Sequence, residues 1–297
     1  MRILISGASG LIGSALRPAL VSAGHTTAAL VRRPAAGDQV QWDPAQPLEP
    51  SRLKGFDALV HLAGKNISGY WTDKFKREVR ESRVQGTRTL ATAAAESFRQ
   101  TGTPRVLVAA SATGYYGNRG DEVLTEASPR GTGFLADVCQ EWEDVAAPAV
   151  EAGLRVVHIR IGVVLAKEGG ALQAMLPPFR LGLGGPVGNG RQYWSWITLD
   201  DVVGVFLFAL SNDELHGAVN AVTPQSLRNA EFVRELGKAI NRPAIVPLPA
   251  FVVRTLFGEM GDALLLASAQ VAPAKLQAAG YHFRHPELPE ALRATLR

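Results

Sequence analysis

Three glycines in the spacing Gly7-x-x-Gly10-x-x-Gly13 follow directly on the apolar run Ile3-Leu4-Ile5-Ser6. The first turn of a helix binds anions without a charged side chain, because its free N–H groups and its dipole both face the ligand. In a strand–turn–helix unit the first glycine permits the tight turn. The second lets a pyrophosphate approach the backbone, and the third lets the helix pack closely on the strand. Gly7, Ser9, Gly10, Leu11, Ile12 and Gly13 therefore read as a dinucleotide cradle. A glycine-rich turn without a ligand would show the same letters. The position at the first strand–helix junction of a βαβ run is the context that favours the cradle. Downstream, Leu30-Val31 runs into Arg32-Arg33, and no acid lies between Val31 and Gly37. A site for NAD usually carries an acid there for the ribose 2′-hydroxyl, whereas an arginine accommodates a 2′-phosphate. The expected cofactor is NADP(H). Two solvated surface arginines are the alternative reading.

The elements that must position these residues alternate along the first half of the chain. Apolar runs predict strands at 2–6, 26–31, 39–42, 56–63, 105–111 and 155–165. Helical periodicity marks 11–23, 72–98 and 133–152. Pro18 falls inside the first helix and predicts a kink away from the phosphate end. Strands separated by helices imply right-handed crossovers and a mostly parallel sheet. After about residue 167 the texture changes. A loop-rich stretch holds Pro177, Pro178 and the glycines from Gly169 to Gly190. A helix over 200–212 follows, capped by Thr198 or Asp200, then a strand over 219–222 and short helices over 250–266 and 273–279. The expected fold is α/β, a Rossmann-type doubly wound, mostly parallel sheet with a small C-terminal α/β substrate lobe. The core is placed at 1–166, and 167–297 holds returning sheet elements and the lobe, with an interleaved boundary.

Composition narrows the function. The 297 residues are 46% hydrophobic and 20% charged, which excludes a disordered or collagen-like chain. The net charge of +4 is spread out, with no more than two basic residues in a row, so no nucleic-acid partner is expected. A single cysteine, Cys139, permits no intrachain disulfide and no multi-thiolate metal site, and fits a reducing compartment. No signal peptide is visible, and no apolar run reaches the roughly 18 residues that span a bilayer. A soluble, cytoplasmic protein with no membrane partner is expected.

His61-Leu62-Ala63-Gly64 and Ser111-Ala112-Thr113-Gly114-Tyr115-Tyr116-Gly117, taken with the glycine motif, resemble the extended short-chain dehydrogenase/reductases. That superfamily includes nucleotide-sugar epimerases and dehydratases. Phe134-Leu135-Ala136, Cys139, Trp142-Glu143, Arg160-Ile161-Gly162, Ser195-Trp196-Ile197, Asp200-Asp201, Asn220-Ala221 and Gly258-Glu259 sharpen the likeness. They are similar to the "epimerase family" oxidoreductase group, which carries a small C-terminal domain of unknown function. The resemblance covers essentially the whole chain. It implies that Leu62, Ala63 and Gly64 join the cofactor site. It also implies a catalytic set of Ser, Tyr, a Lys four residues after the Tyr, and an Asn on the preceding helix. Ser111 matches the Ser. Phe134 stands at the Tyr position, Val138 at the Lys position, and Arg83, in Arg83-Val84-Gln85-Gly86-Thr87, at the Asn position. Phenylalanine has no acidic proton and valine no charge, so the usual acid–base step cannot run through them.

Other residues must then move the proton if chemistry occurs. Tyr115 and Tyr116 follow Ser111 on a short loop at the carboxyl edge of the sheet, where ligands of this fold bind. The expectation is that one of them donates the proton while Ser111 orients the substrate oxygen. The alternative is that they pack. Cys139 reads as a small buried hydrophobe, Asp137 as a solvated or capping acid and His61 as a structural histidine. Tyr193-Trp194-Ser195-Trp196 either faces a ligand, with Arg180 and Arg191 nearby, or anchors the lobe. The first functional reading is an NADP(H)-dependent oxidoreductase that reduces a carbonyl of a small molecule. The alternatives are a nucleotide-sugar epimerase or dehydratase, and a non-catalytic NADPH-binding sensor or scaffold.

Overall fold

A computed structural model describes all 297 residues. Its sheet has seven strands: β1 (Arg2–Ser6), β2 (Thr26–Val31), β3 (Gln39–Gln41), β4 (Ala58–His61), β5 (Val106–Ala112), β6 (Arg155–Ile161) and β7 (Gly217–Ala221). Every pairing is parallel, in the spatial order β3-β2-β1-β4-β5-β6-β7. The order reverses between β1 and β4, and a ligand crevice opens at such a switch point outside the carboxyl ends of the strands.

The helices follow from caps and apolar stripes. Helix α1 (Leu11–Ser22) runs unbroken through Pro18. Helix α2 (Asp73–Thr101) starts where the Thr72 hydroxyl accepts the Phe75 amide and stops at Gly102 in the left-handed region. The helix expected over 133–152 is two, α3 (Phe134–Asp144) and α4 (Ala147–Glu151), with Pro148 in the first turn of the second. The stretch expected as loop contains α5 (Gly170–Arg180), whose Leu172, Leu176 and Phe179 share one buried stripe. Flanking glycines and two internal prolines mask that period in the sequence. Helix α6 (Leu199–Ser211) is capped by Thr198, which accepts the Asp201 amide at 3.1 Å. Then come α7 (Asn229–Ala239), α8 (Ala250–Gly261), α9 (Ala274–Ala278) and α10 (Leu288–Leu296).

The strand expected over 155–165 divides at Gly162. Beyond it, Val163–Leu165 leaves the main sheet and pairs with Trp196–Thr198. A side chain at Gly162 would stand 2.6 Å from the Ser195 carbonyl, so only glycine allows this close approach.

Alternation along the strands makes two cores. Ile3, Ile5, Ala58, Val60, Val106, Val108, Val157 and Ile159 face α1 and α6. Leu4, Leu59, Leu107 and Val156 face the opposite way, under Leu90, Ala91 and Ala94 of α2. A third cluster, with Trp194, Trp196, Phe232 and Leu288, holds the lobe together. No helix is long and apolar enough to cross a membrane.

Candidate functional site

The cradle is made by backbone. Gly7 has φ +70°, and a Cβ there would lie 2.7 Å from the Ala63 nitrogen and from the Leu62 carbonyl carbon. The turn after β1 is thus pressed against the chain leaving β4, which brings Leu62, Ala63 and Gly64 to the cradle. A Cβ on Gly13 would overlap the Gly7 carbonyl oxygen and stand 2.7 Å from the Ala8 Cα. Gly10 differs. A Cβ there meets only the Gly7 oxygen, at 3.3 Å, and otherwise enters open space. Ser9 and Gly10 are exposed, and Leu11 and Ile12 half-buried. No side chain caps α1 and no acid stands in its first turn, so its leading amides and dipole are left for an anion. Arg32 and Arg33 are exposed just past the end of β2. The first acid beyond them, Asp38, is engaged by Arg17 at 3.3 Å. The donor set fits a dinucleotide with a 2′-phosphate.

Next to the cradle the same sheet edge carries a buried polar network. Register places Ser111 beside Arg160 and Arg160 beside Asn220 on adjacent strands. The Arg160 fork grips Glu143 of α3, Nε to Oε1 at 2.8 Å and Nη2 to Oε2 at 2.7 Å. Ser111 donates its hydroxyl to Glu143 Oε1 at 2.7 Å. Arg160 Nη1 donates to the Tyr116 hydroxyl at 3.0 Å, and Tyr116 donates to Asn220 Oδ1 at 2.7 Å. Tyr116 is fully buried. Burial pushes its hydroxyl above the ordinary phenol range, against the pull of Arg160. Tyr116 is thus held as a member of this network, and the Ser111 hydroxyl keeps its proton but donates its hydrogen bond to Glu143, so both expected site residues have protein partners. Tyr115 is the exception. It is half-buried, its ring lies 3.4 Å from the Arg160 guanidinium carbon, and its hydroxyl makes no hydrogen bond.

The reserve candidates are accounted for by packing. Cys139 is buried, and burial, with Glu143 nearby, pushes its thiol up to about 12. Asp137 pairs with Arg130. His61 is fully buried and lies 2.6 Å through Nδ1 from the Ser6 hydroxyl, and burial pulls it down to about 4. Phe134 packs edge-on against Trp71, with ring centroids 5.2 Å apart, and Val138 is buried. Trp194 and Trp196 belong to the lobe core rather than to a ligand face.

Glu143, Arg160 and Asn220 went unassigned in the sequence, where only their place in a resembling motif marked them. Arg83 is the fourth residue of interest. It stands on α2 with its side chain beside Gly64, and its guanidinium carbon is 5.1 Å from the Trp142 ring. Over this edge the lobe touches the sheet domain. Lys76 pairs with Glu259 at 2.7 Å, and the Gly69 amide donates to the Met260 sulfur at 3.4 Å.

Comparison with known proteins gives consistent results. Residues 3–221 match the NAD dependent epimerase/dehydratase family, and residues 248–295 match a domain of unknown function, DUF1731. An epimerase family protein of Mycobacterium bovis is 44% identical over 293 residues, covering 98% of this chain and 96% of its own. The human epimerase family protein SDR39U1 is 39% identical, covering 99% of each. A crystal structure of that human protein (isoform 2) with NADPH superimposes with a TM-score of 0.91 at 36% identity, covering 100% of this chain and 99% of the other.

Proposed function

The chain belongs to the NAD dependent epimerase/dehydratase family, and from that premise we propose that it binds NADP(H) and reduces a carbonyl group of a small molecule. The observation that carries the reading is the uncapped α1 terminus, open at Gly10, with Arg32 and Arg33 exposed at the end of the neighbouring strand. The human relative crystallised with NADPH supports the choice of cofactor. In this reading the free amides at the start of α1 hold the pyrophosphate and the two arginines meet the 2′-phosphate. Leu62, Ala63 and Gly64 line the nicotinamide half. The cofactor supplies a hydride when bound.

Tyr115 is the side chain left to give a proton to the carbonyl oxygen, because its hydroxyl is unengaged at the carboxyl edge of β5. Val138 stands where the family pairs a lysine with its tyrosine, and the cation beside Tyr115 is Arg160 instead. Epimerisation through a tyrosine base fits poorly, since Phe134 and Val138 cannot remove a hydroxyl proton. A non-catalytic NADPH-binding role is favoured by one observation: the matching Ser111 and the candidate donor Tyr116 are both engaged in the Arg160 network.

Calorimetric titration with NADPH and NADH tests the cofactor. NADPH oxidation over a panel of carbonyl compounds tests the reaction. Tyr115→Phe is expected to lower turnover about 10²–10⁴-fold at unchanged NADPH affinity. Full activity in that variant removes Tyr115 from the mechanism. No oxidation of NADPH with any carbonyl leaves the binding role as the reading.

A further inference from the structure

Arg83 is held in place but not neutralised. Its Nη1 donates to the carbonyl oxygens of Lys65, at 3.0 Å, and Val79, at 3.1 Å. Its planar group rests on the Trp142 side of α3, and its guanidinium carbon would be 3.4 Å from a Cβ on Gly64. The remaining edge, Nε and Nη2, makes no hydrogen bond, and no carboxylate pairs with it. That edge is the one this protein uses elsewhere to take a carboxylate side-on. Arg160 holds Glu143 with it, and Arg119 holds Glu122 with it, at 2.9 and 2.7 Å.

Four acids on the two flanking helices are committed to other cations. Glu78 pairs with Lys65 at 2.8 Å, Glu141 with Arg80 at 3.1 Å, Glu143 with Arg160 and Asp137 with Arg130. A partly buried guanidinium without a counter-charge is costly to keep, and arginine does not escape by losing its proton. Gly64, beside it, is exposed at the far end of the cradle. The guanidinium is therefore fixed, charged, unpaired and next to open space.

We infer that the free Nε–Nη2 edge of Arg83 is a receptor for a carboxylate of the substrate, bound side-on in the crevice beside Gly64. The inference rests on the oxidoreductase reading above and names its substrate class: small carbonyl compounds that carry a carboxylate. Nη1, committed to two carbonyl oxygens, sets the plane of the fork before the ligand arrives, so little ordering remains to be done on binding.

The test uses the full chain, with and without saturating NADPH, titrated by calorimetry with oxalate, benzoate and the neutral analogue benzamide. Benzoate or oxalate is expected to bind Arg83→Gln at least about tenfold more weakly than wild type, the scale of a lost charge-assisted pair. Arg83→Lys, which keeps the charge but not the fork, is expected to recover only part of the loss. Benzamide binding and NADPH affinity should be the same in all three proteins, with melting temperatures as the folding control. The proposal is overturned if wild type binds neither carboxylate, or if Arg83→Gln binds them as wild type does. It is also overturned if the variant loses NADPH affinity by the same factor, which would assign the arginine to a cofactor phosphate. Failure of wild type to bind NADPH, with the carboxylate result intact in its absence, would sink the oxidoreductase reading and leave the Arg83 site standing.

Discussion

The glycine cradle and the Arg160 network share one edge of one sheet and are built in opposite ways. The cradle uses backbone amides from a single short segment, left without protein partners at the start of α1. The network uses five side chains from four separate segments, and each polar group in its centre finds another: Ser111, Tyr116, Glu143, Arg160 and Asn220. The first is unfinished without a ligand. The second is complete, and a substrate could enter it only by breaking buried hydrogen bonds. The one residue that matches the family's catalytic set, Ser111, is here a partner in that buried network. What an arginine does here depends on which atoms are already engaged, as Arg160 and Arg83 show.

That contrast can be broken at several points. Arg160→Met should have the largest effect, because it leaves Glu143 buried without its cation. A loss of about 3–5 kcal/mol in urea-unfolding stability is expected, with NADPH affinity of the folded protein little changed. Unaltered stability would mean that the network is not a structural unit. His61 belongs to the cradle side, since its ring holds Ser6 immediately before the cradle. Its ordinary value is 6.5, and burial lowers it to about 4 in the folded chain. Between those values the unfolded chain takes up a proton that the folded chain refuses. Stability is thus complete above pH 6.5 and falls as pH drops through that window, by about 3 kcal/mol for a shift of this size. His158, also lowered by burial, adds in the same direction. Urea unfolding between pH 7.5 and 4 should show the slope, and His61→Gln should flatten it; an unchanged slope would place the titration elsewhere.

The cradle should respond in binding rather than in folding. Gly10→Val is expected to lower NADPH affinity about a hundredfold, or about 2.7 kcal/mol, at an unchanged melting temperature. Gly13→Val should lower the melting temperature itself, because the added carbons meet the Gly7 backbone. If both variants behaved alike, the division of labour between these glycines would be wrong. The smallest effect is expected at the adenosine end. Replacing Arg32 and Arg33 together by alanine should weaken NADPH about tenfold, or about 1.4 kcal/mol, and leave NADH unchanged. Equal losses for both cofactors would remove the arginines from 2′-phosphate recognition.

Legibility in the sequence follows the same division. Strands β1, β2 and β5 and the cradle were readable because apolar runs and glycine spacing are local signals. Partnerships were not. Ser111 meets Glu143 across 32 positions, and Tyr116 meets Asn220 across 104. Only register between parallel strands brings Ser111, Arg160 and Asn220 into one row. The break at Gly162 depends on Ser195, which arrives from a later segment. Helix α5 was hidden for a different reason, since glycines and prolines speak against a helix whose stability comes from burying Leu172, Leu176 and Phe179. Arg83 was visible as a departure from a motif, but its free edge emerges only in the folded chain, where its Nη1 alone is engaged.

Strand β7 reaches the sheet from beyond residue 166, and this bears on how the chain can be cut. Arg155, the first residue of β6, reaches the carbonyl oxygens of Ala209, Leu210 and Leu215 around the end of α6. A fragment ending at 166 would lose those acceptors and would bare the outer edge of β6, whose Val157 and Ile159 are fully buried in the intact chain. An unprotected edge of that length and apolarity templates pairing with other chains. The segment that resembles a self-contained nucleotide-binding half is thus expected to aggregate when expressed alone, and to become tractable when residues 167–297 are supplied alongside it.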